Sequence, residues 1–164
     1  FAGAGMACIA ASKENLNWIR KHMGAQTIGP DKLNQLRHVR FLKNAEGVHS
    51  LMAKHAEILR PKFELVLDLL DKNLTDCPEC HWTIPEGGYF ISVFVSKGTA
   101  SEVVRLANEC GVALTPAGNT YPYGNDPDNS NIRLAPSFPP LEELKLAIEV
   151  FCVCVMLATL RGLK

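Results

Sequence analysis

The chain has 164 residues, 47% of them hydrophobic, with 17 Lys and Arg balanced by 17 Asp and Glu. A single chain of this size buries roughly 70% of the surface its unfolded form exposes, so it needs no disulfide or metal staple, and its scattered, balanced charge gives no basic face for a nucleic-acid backbone. The longest apolar run, Val150 to Ala158, falls short of the ~20 residues of a membrane span.

The chain opens on Phe1 in an apolar Gly/Ala stretch and reads as part of something longer. Ser12 is placed to cap a helix running to about His22, with Leu16, Ile19 and Met23 on one face. After the Gly29-Pro30-Asp31 turn, Asp31 opens a second helix to Leu42. A long periodic segment follows from Val48 to Leu74. Pro61 lies inside it, and because proline removes a backbone donor and crowds the preceding turn, a bend is expected there. Residues 75–81 form a loop. Strand signals come next, Trp82 to Ile84 and Tyr89 to Val95 around a Pro85-Glu86-Gly87-Gly88 turn, predicting a hairpin. Thr99 and Glu102 match a capping box for a helix that Gly111 ends. A short strand is expected at Val112-Ala113-Leu114-Thr115, then a turn-rich loop from Pro116 to Ser130 and a strand from Asn131 to Ala135. Pro140 suits the first turn of a last helix, with Leu141, Leu144, Ile148, Phe151 and Val155 facing inward and Arg161 at the negative end. The order implies an α+β fold, a small mixed sheet covered by helices.

Several motifs carry little chemistry. Cys77-Pro78-Glu79-Cys80-His81 has the spacing of a haem-attachment or zinc motif, yet further ligands are missing, and it reads as a surface loop. Cys152 and Cys154 stand two apart on a helix and point to different sides. Of the six cysteines, Cys8, Cys110, Cys152 and Cys154 lie in apolar segments where a free thiol acts as a small hydrophobe, which with no visible export signal favours a reduced cytoplasmic protein. The five histidines show no metal-ligand spacing, and no metal site is expected. Gly3-Ala4-Gly5 lacks the strand and ribose-binding acid of a dinucleotide fingerprint. Arg133 differs. Between Ile132 and Leu134 on a half-buried strand, its guanidinium requires a partner, either an internal carboxylate or a ligand's.

Taken together, Pro85-Glu86-Gly87-Gly88-Tyr89-Phe90, Gly111 to Gly118 and Asn131-Ile132-Arg133-Leu134-Ala135 resemble the C-terminal part of class I aminotransferases, pyridoxal-phosphate enzymes of fold type I. More narrowly, Gln26 to Arg40 and Thr120-Tyr121-Pro122-Tyr123-Gly124 resemble a bacterial aspartate aminotransferase-like subgroup. The resemblance implies that residues 1–45 close a large cofactor-binding domain and that residues 46–164, with the long interdomain helix, form the small domain. It implies amino-acid and 2-oxo-acid substrates, a cytoplasmic homodimer, and Arg133 as the residue holding the substrate α-carboxylate, with Asn131 as a further substrate-binding candidate and Arg37 as a candidate toward a distal carboxylate. The Schiff-base lysine would precede Phe1, so no catalytic residue is expected within the chain and the chain alone would be inactive. The family's phosphate-binding arginine has no counterpart between Phe1 and Ser12, leaving Gly3, Gly5, Gln26 and Thr27 as cofactor candidates. Two other readings stay open: an effector domain of an aminotransferase-like transcription regulator, and a structural module without chemistry.

Overall fold

The computed structural model describes residues 5–162, so the expectation placed on Gly3 lies outside the described residues. The chain divides into two units, Phe1–His55 and Ala56–Lys164.

In the first unit, helices α1 (Lys13–Gln26) and α2 (Lys32–Leu42) begin where short polar side chains can satisfy their orphan amides. Ser12 Oγ accepts from the Asn15 N–H at 3.3 Å and Asp31 Oδ1 from that of Asn34 at 2.9 Å. Asn44 caps α3 (Ala45–Leu74) in the same way, accepting from the Gly47 N–H at 2.9 Å. Neither α1 nor α2 buries a residue, and Trp18, Leu33 and Val39 remain exposed. The helix α3 continues through Pro61 without interruption. Glu57 and Pro61 are both exposed there, so water can serve the carbonyl that proline leaves without a donor.

The second unit holds the core. Strands β1 (His81–Trp82), β2 (Ile91–Phe94) and β3 (Asn131–Leu134) form one sheet in that order, antiparallel at both pairings. Helices α4 (Ala100–Glu109) and α5 (Leu141–Gly162) complete the unit. Alternation sorts the strands: Ile91, Val93, Ile132 and Leu134 are buried with Val66, Leu70 and Leu74 of α3, Val103 and Ala107 of α4, and Phe151 and Val155 of α5. Ser92 and Arg133, paired across the ladder, point to the opposite face.

Four local expectations are corrected. Residues 112–115 are not a strand. Gly111 sits at φ +84° as a left-handed helix end, and the Val112 N–H bonds back to Ala107 O at 2.8 Å while that of Gly111 reaches Asn108 O, a Schellman closure that takes the donor a ladder would need. With no strand there, neither sheet pairing is parallel. Thr99 and Glu102 do not form a capping box either. The Thr99 hydroxyl donates to Ser96 O at 2.6 Å, and the cap comes from Asn129, whose Oδ1 accepts from the Ser101 N–H at 3.0 Å and whose carbonyl accepts from that of Ala100. The first strand is short, although the Thr83 N–H still reaches Ser92 O. Leu141 is exposed, because it opens α5 before the helix turns its apolar side inward at Leu144.

Freed from capping, the Glu102 carboxylate accepts from Arg105 and from Arg161 at 2.9 Å, tying α4 to the end of α5. The Arg105 hydrogen bond, and then that of Arg161, hold this carboxyl down at about 2 against 4.5 for an ordinary Glu. A lowered folded-state value means the contribution is present above about pH 4.5 and is lost as pH falls through about 2. Thermal melts of Glu102→Gln should therefore fall below wild type above about pH 4.5, and the gap should close as pH approaches 2.

Candidate active site

The side of the sheet turned away from the core carries the polar groups. Arg133 lies half-buried on β3, opposite Ser92 of β2. Its guanidinium carbon stands 4.4 Å over the ring of Phe90, a cation–π placement that holds the charge without neutralising it. Among the described residues its Nε is buried without a hydrogen-bond partner, and none of the ion pairs includes it. A buried guanidinium donor left unmatched costs about 1–3 kcal/mol or more. Among the described residues no carboxylate pairs with it, so neither the internal partner nor the ligand left open by the sequence is found there.

Beside it stands a chain of short polar contacts. Thr120 Oγ1 donates to Asn131 Oδ1 at 2.7 Å, and Asn131 Nδ2 donates to Ser92 Oγ at 2.8 Å. Asn131 is 3% exposed with both ends of its amide engaged, which suits it to fixing the loop on the sheet rather than to touching a ligand. Gly118 makes the loop possible: its φ is +87°, and a Cβ there would lie 2.3 Å from Gly124 O. The strand itself is anchored by Asp126, whose Oδ2 accepts from the N–H groups of Ser130 and Asn131, each at 2.8 Å, and whose Oδ1 accepts from that of Asp128. Burial opposes its charge, but the amides of Asn131, Ser130, Asp128 and Asn129 outweigh this and keep the carboxyl below its usual range.

Phe90, Ser92, Thr120 and Asp126 were not named as site residues from the sequence. Phe90 and Ser92 share strand parity, which was readable; their register against Arg133 was not. The remaining described candidates belong to the first unit. Arg37 is exposed on α2, in the first unit. Gln26 ends α1, where the helix carbonyls repel a phosphate. Thr27 has both donors engaged, its N–H to Met23 O and its hydroxyl to Gly29 O. A Cβ on Gly5 would meet nothing within 4 Å, so no close approach requires glycine there. These residues do not fit a phosphate cradle. The cavity beside Arg133, lined also by Thr115, Pro136 and Phe151, holds about 120 Å³, well under the ~300 Å³ at which ligand pockets begin.

The family model described as aspartate amino-transferase matches residues 1–164. The chain belongs to this aminotransferase family. An aspartate aminotransferase of Corynebacterium glutamicum is 52% identical over 157 residues, 96% of this chain and 36% of the relative. A solved aspartate transaminase from the same species superposes with a TM-score of 0.82 at 52% identity, covering 90% of this chain and 35% of that one. The α-aminoadipate aminotransferase of Thermus thermophilus, solved with N-(5'-phosphopyridoxyl)-L-leucine, shares the fold with a TM-score of 0.73 at 23% identity over 91% of this chain and 37% of its own. The chain thus spans little more than a third of the length of these family members. An aminotransferase small domain is the fold expected from the sequence, and the regulator reading draws no support from these relatives.

If Asp126 sets the start of β3, Asp126→Asn should speed amide hydrogen exchange at residues 128–131 by roughly tenfold, the counterpart of losing about 1.5 kcal/mol from hydrogen bonds to a charged acceptor. Exchange mapped by mass spectrometry would show it.

Proposed function

We propose that the full-length protein is a pyridoxal-phosphate-dependent aminotransferase exchanging amino groups between amino acids and 2-oxo acids, of the aspartate/2-oxoglutarate type, and that Arg133 holds the substrate α-carboxylate. The observation carrying this reading is the Arg133 Nε, buried and without a partner among the described residues, in a family described as aspartate amino-transferase, whose named substrate carries carboxylates. A guanidinium fork and a carboxylate match in two parallel hydrogen bonds. Held so, an amino acid has its Cα bonds fixed in direction, which lowers the barrier by positioning. Phe90 supports the guanidinium plane from one side, and the Asp126 and Asn131 contacts keep its strand in register.

Pyridoxal 5'-phosphate is proposed as cofactor on the strength of the family and of the phosphopyridoxyl adduct in the Thermus thermophilus neighbour; when bound it supplies an electron sink. Since Gly5, Gln26 and Thr27 do not fit its phosphate, its grip is proposed to lie on residues outside this chain. The Schiff-base lysine is proposed to lie there too, with the chain by itself inactive. Residues 1–45 are proposed to close a large domain and 46–164 to form the small one, in a cytoplasmic homodimer serving amino-acid metabolism. The aspartate preference rests on the 52% identity to the Corynebacterium glutamicum relative.

In the full-length protein, Arg133→Ala should lower kcat/KM by roughly two to three and a half decades, taking about 3–5 kcal/mol for a broken buried charge pair and about 1.4 kcal/mol per decade. Arg133→Lys should restore only part of this, because an ammonium cannot reproduce the planar fork. Steady-state kinetics with aspartate and 2-oxoglutarate measure both; a loss of tenfold or less for the alanine variant would make Arg133 a structural residue.

A further inference from the structure

The Cys77 to Cys80 segment, a plain loop by its sequence, is locally ordered. It joins the end of α3 at Leu74 to the start of β1 at His81. The Cys77 N–H bonds to Leu74 O and the Cys80 N–H to Cys77 O, both at 3.0 Å, so the two cysteines are the first and last residues of a closed turn. Their Sγ atoms stand 2.7 Å apart, and both are free thiols. A four-residue turn holds its end Cα atoms within about 7 Å, the range a disulfide spans.

The two thiols have different surroundings. Cys77 lines a cleft of about 650 Å³ together with Glu79, His81, Lys97, Tyr121 and Asp128. Cys80 is not on that wall; it packs against the hydrophobic core. Metal binding fits poorly. Among the described residues no group of three or more His, Cys, Asp and Glu is placed to hold an ion, and the His81 ring is stacked on Phe94 with centroids 4.6 Å apart.

We propose that Cys77 and Cys80 are an oxidisable dithiol, a modification site that closes to an intramolecular disulfide by exchange with a small-molecule disulfide entering from the cleft, with Cys77 as the first attacking sulfur. The Cys77 thiolate attacks one sulfur of the small disulfide and releases one thiolate, which takes up the proton Cys77 gave. The Cys80 sulfur then attacks Cys77 Sγ, passes its proton to the second departing thiolate and forms the protein disulfide. Two protein thiols are oxidised and one external disulfide is reduced to two thiols. Burial first, then the hydrogen bond to Cys77, push the Cys80 thiol from 9.0 up to about 12. A raised thiol holds less thiolate, and Cys80 lies off the cleft wall, so Cys80 is slow to start the exchange. Capping Cys77 removes the second of these causes, which favours closure once the mixed disulfide has formed.

The test is non-reducing peptide mapping of the full-length protein after graded exposure to oxidised glutathione. In wild type the peptide bearing residues 77–80 should become lighter by two hydrogen atoms and hold no glutathione, with Cys110, which is exposed, as an internal reference for reagent strength. Cys80→Ser should trap glutathione on Cys77. Cys77→Ser should take it up on Cys80 at least about tenfold more slowly. Equal rates in the two variants would overturn the order of attack. A wild-type peptide that stays reduced, or keeps glutathione, at reagent levels that derivatise Cys110 would overturn the dithiol itself, and that arm needs no variant to fold.

Discussion

The antiparallel pairing of β2 with β3 decides what this unit can present to a ligand. Ile91 opposite Leu134 and Val93 opposite Ile132 fix the register through the core, and side chains alternate along a strand, so the same register puts Ser92 opposite Arg133 on the other face. A slip of one residue would carry Arg133 into the apolar interior and Ile132 out of it. The hydrophobic pairs therefore place the guanidinium even though they do not touch it.

The loop from residue 116 to 130 is held by polar contacts rather than by apolar burial. Asp126 gathers the amides that begin β3, Asn129 finishes the first turn of α4, and Asn131 links Thr120 to Ser92. Three short polar side chains within six positions thus serve a strand, a helix and the sheet's outer face. Such residues bind nearby backbone more readily than they extend a helix or a ladder, which is why they are concentrated here.

Much of this could be read from the chain alone, because periodicity and caps are local. Ser12, Asp31 and Gly111 mark helix ends where the structure has them, and the alternation around Arg133 placed Ile132 and Leu134 in the core. The capping box failed because Thr99 and Glu102 each found a different partner, one of them Arg161 at the far end of the chain. The strand expected at residues 112–115 failed because β-branched and apolar composition cannot reveal that a backbone donor is already engaged in a helix end. Phe90 meets Arg133 and Thr120 meets Asn131 at separations where no spacing rule applies, whereas Asp126 serves amides two to five positions on, a local pattern hidden among the many turn formers of its loop.

The Asn129 contacts to the start of α4 have a consequence for how the unit assembles. Helix and cap lie 28 residues apart in the chain, so the amides of the first turn gain their acceptors only after the intervening loop has closed, and closure costs entropy before any contact returns it. An N-terminal cap, usually supplied by the residue just before the helix, is here made conditional on long-range topology. Helix α4 and the strand bearing Arg133 are accordingly bound into one cooperative event, and a nascent chain ending before residue 129 would carry that helix with its leading turn unfinished.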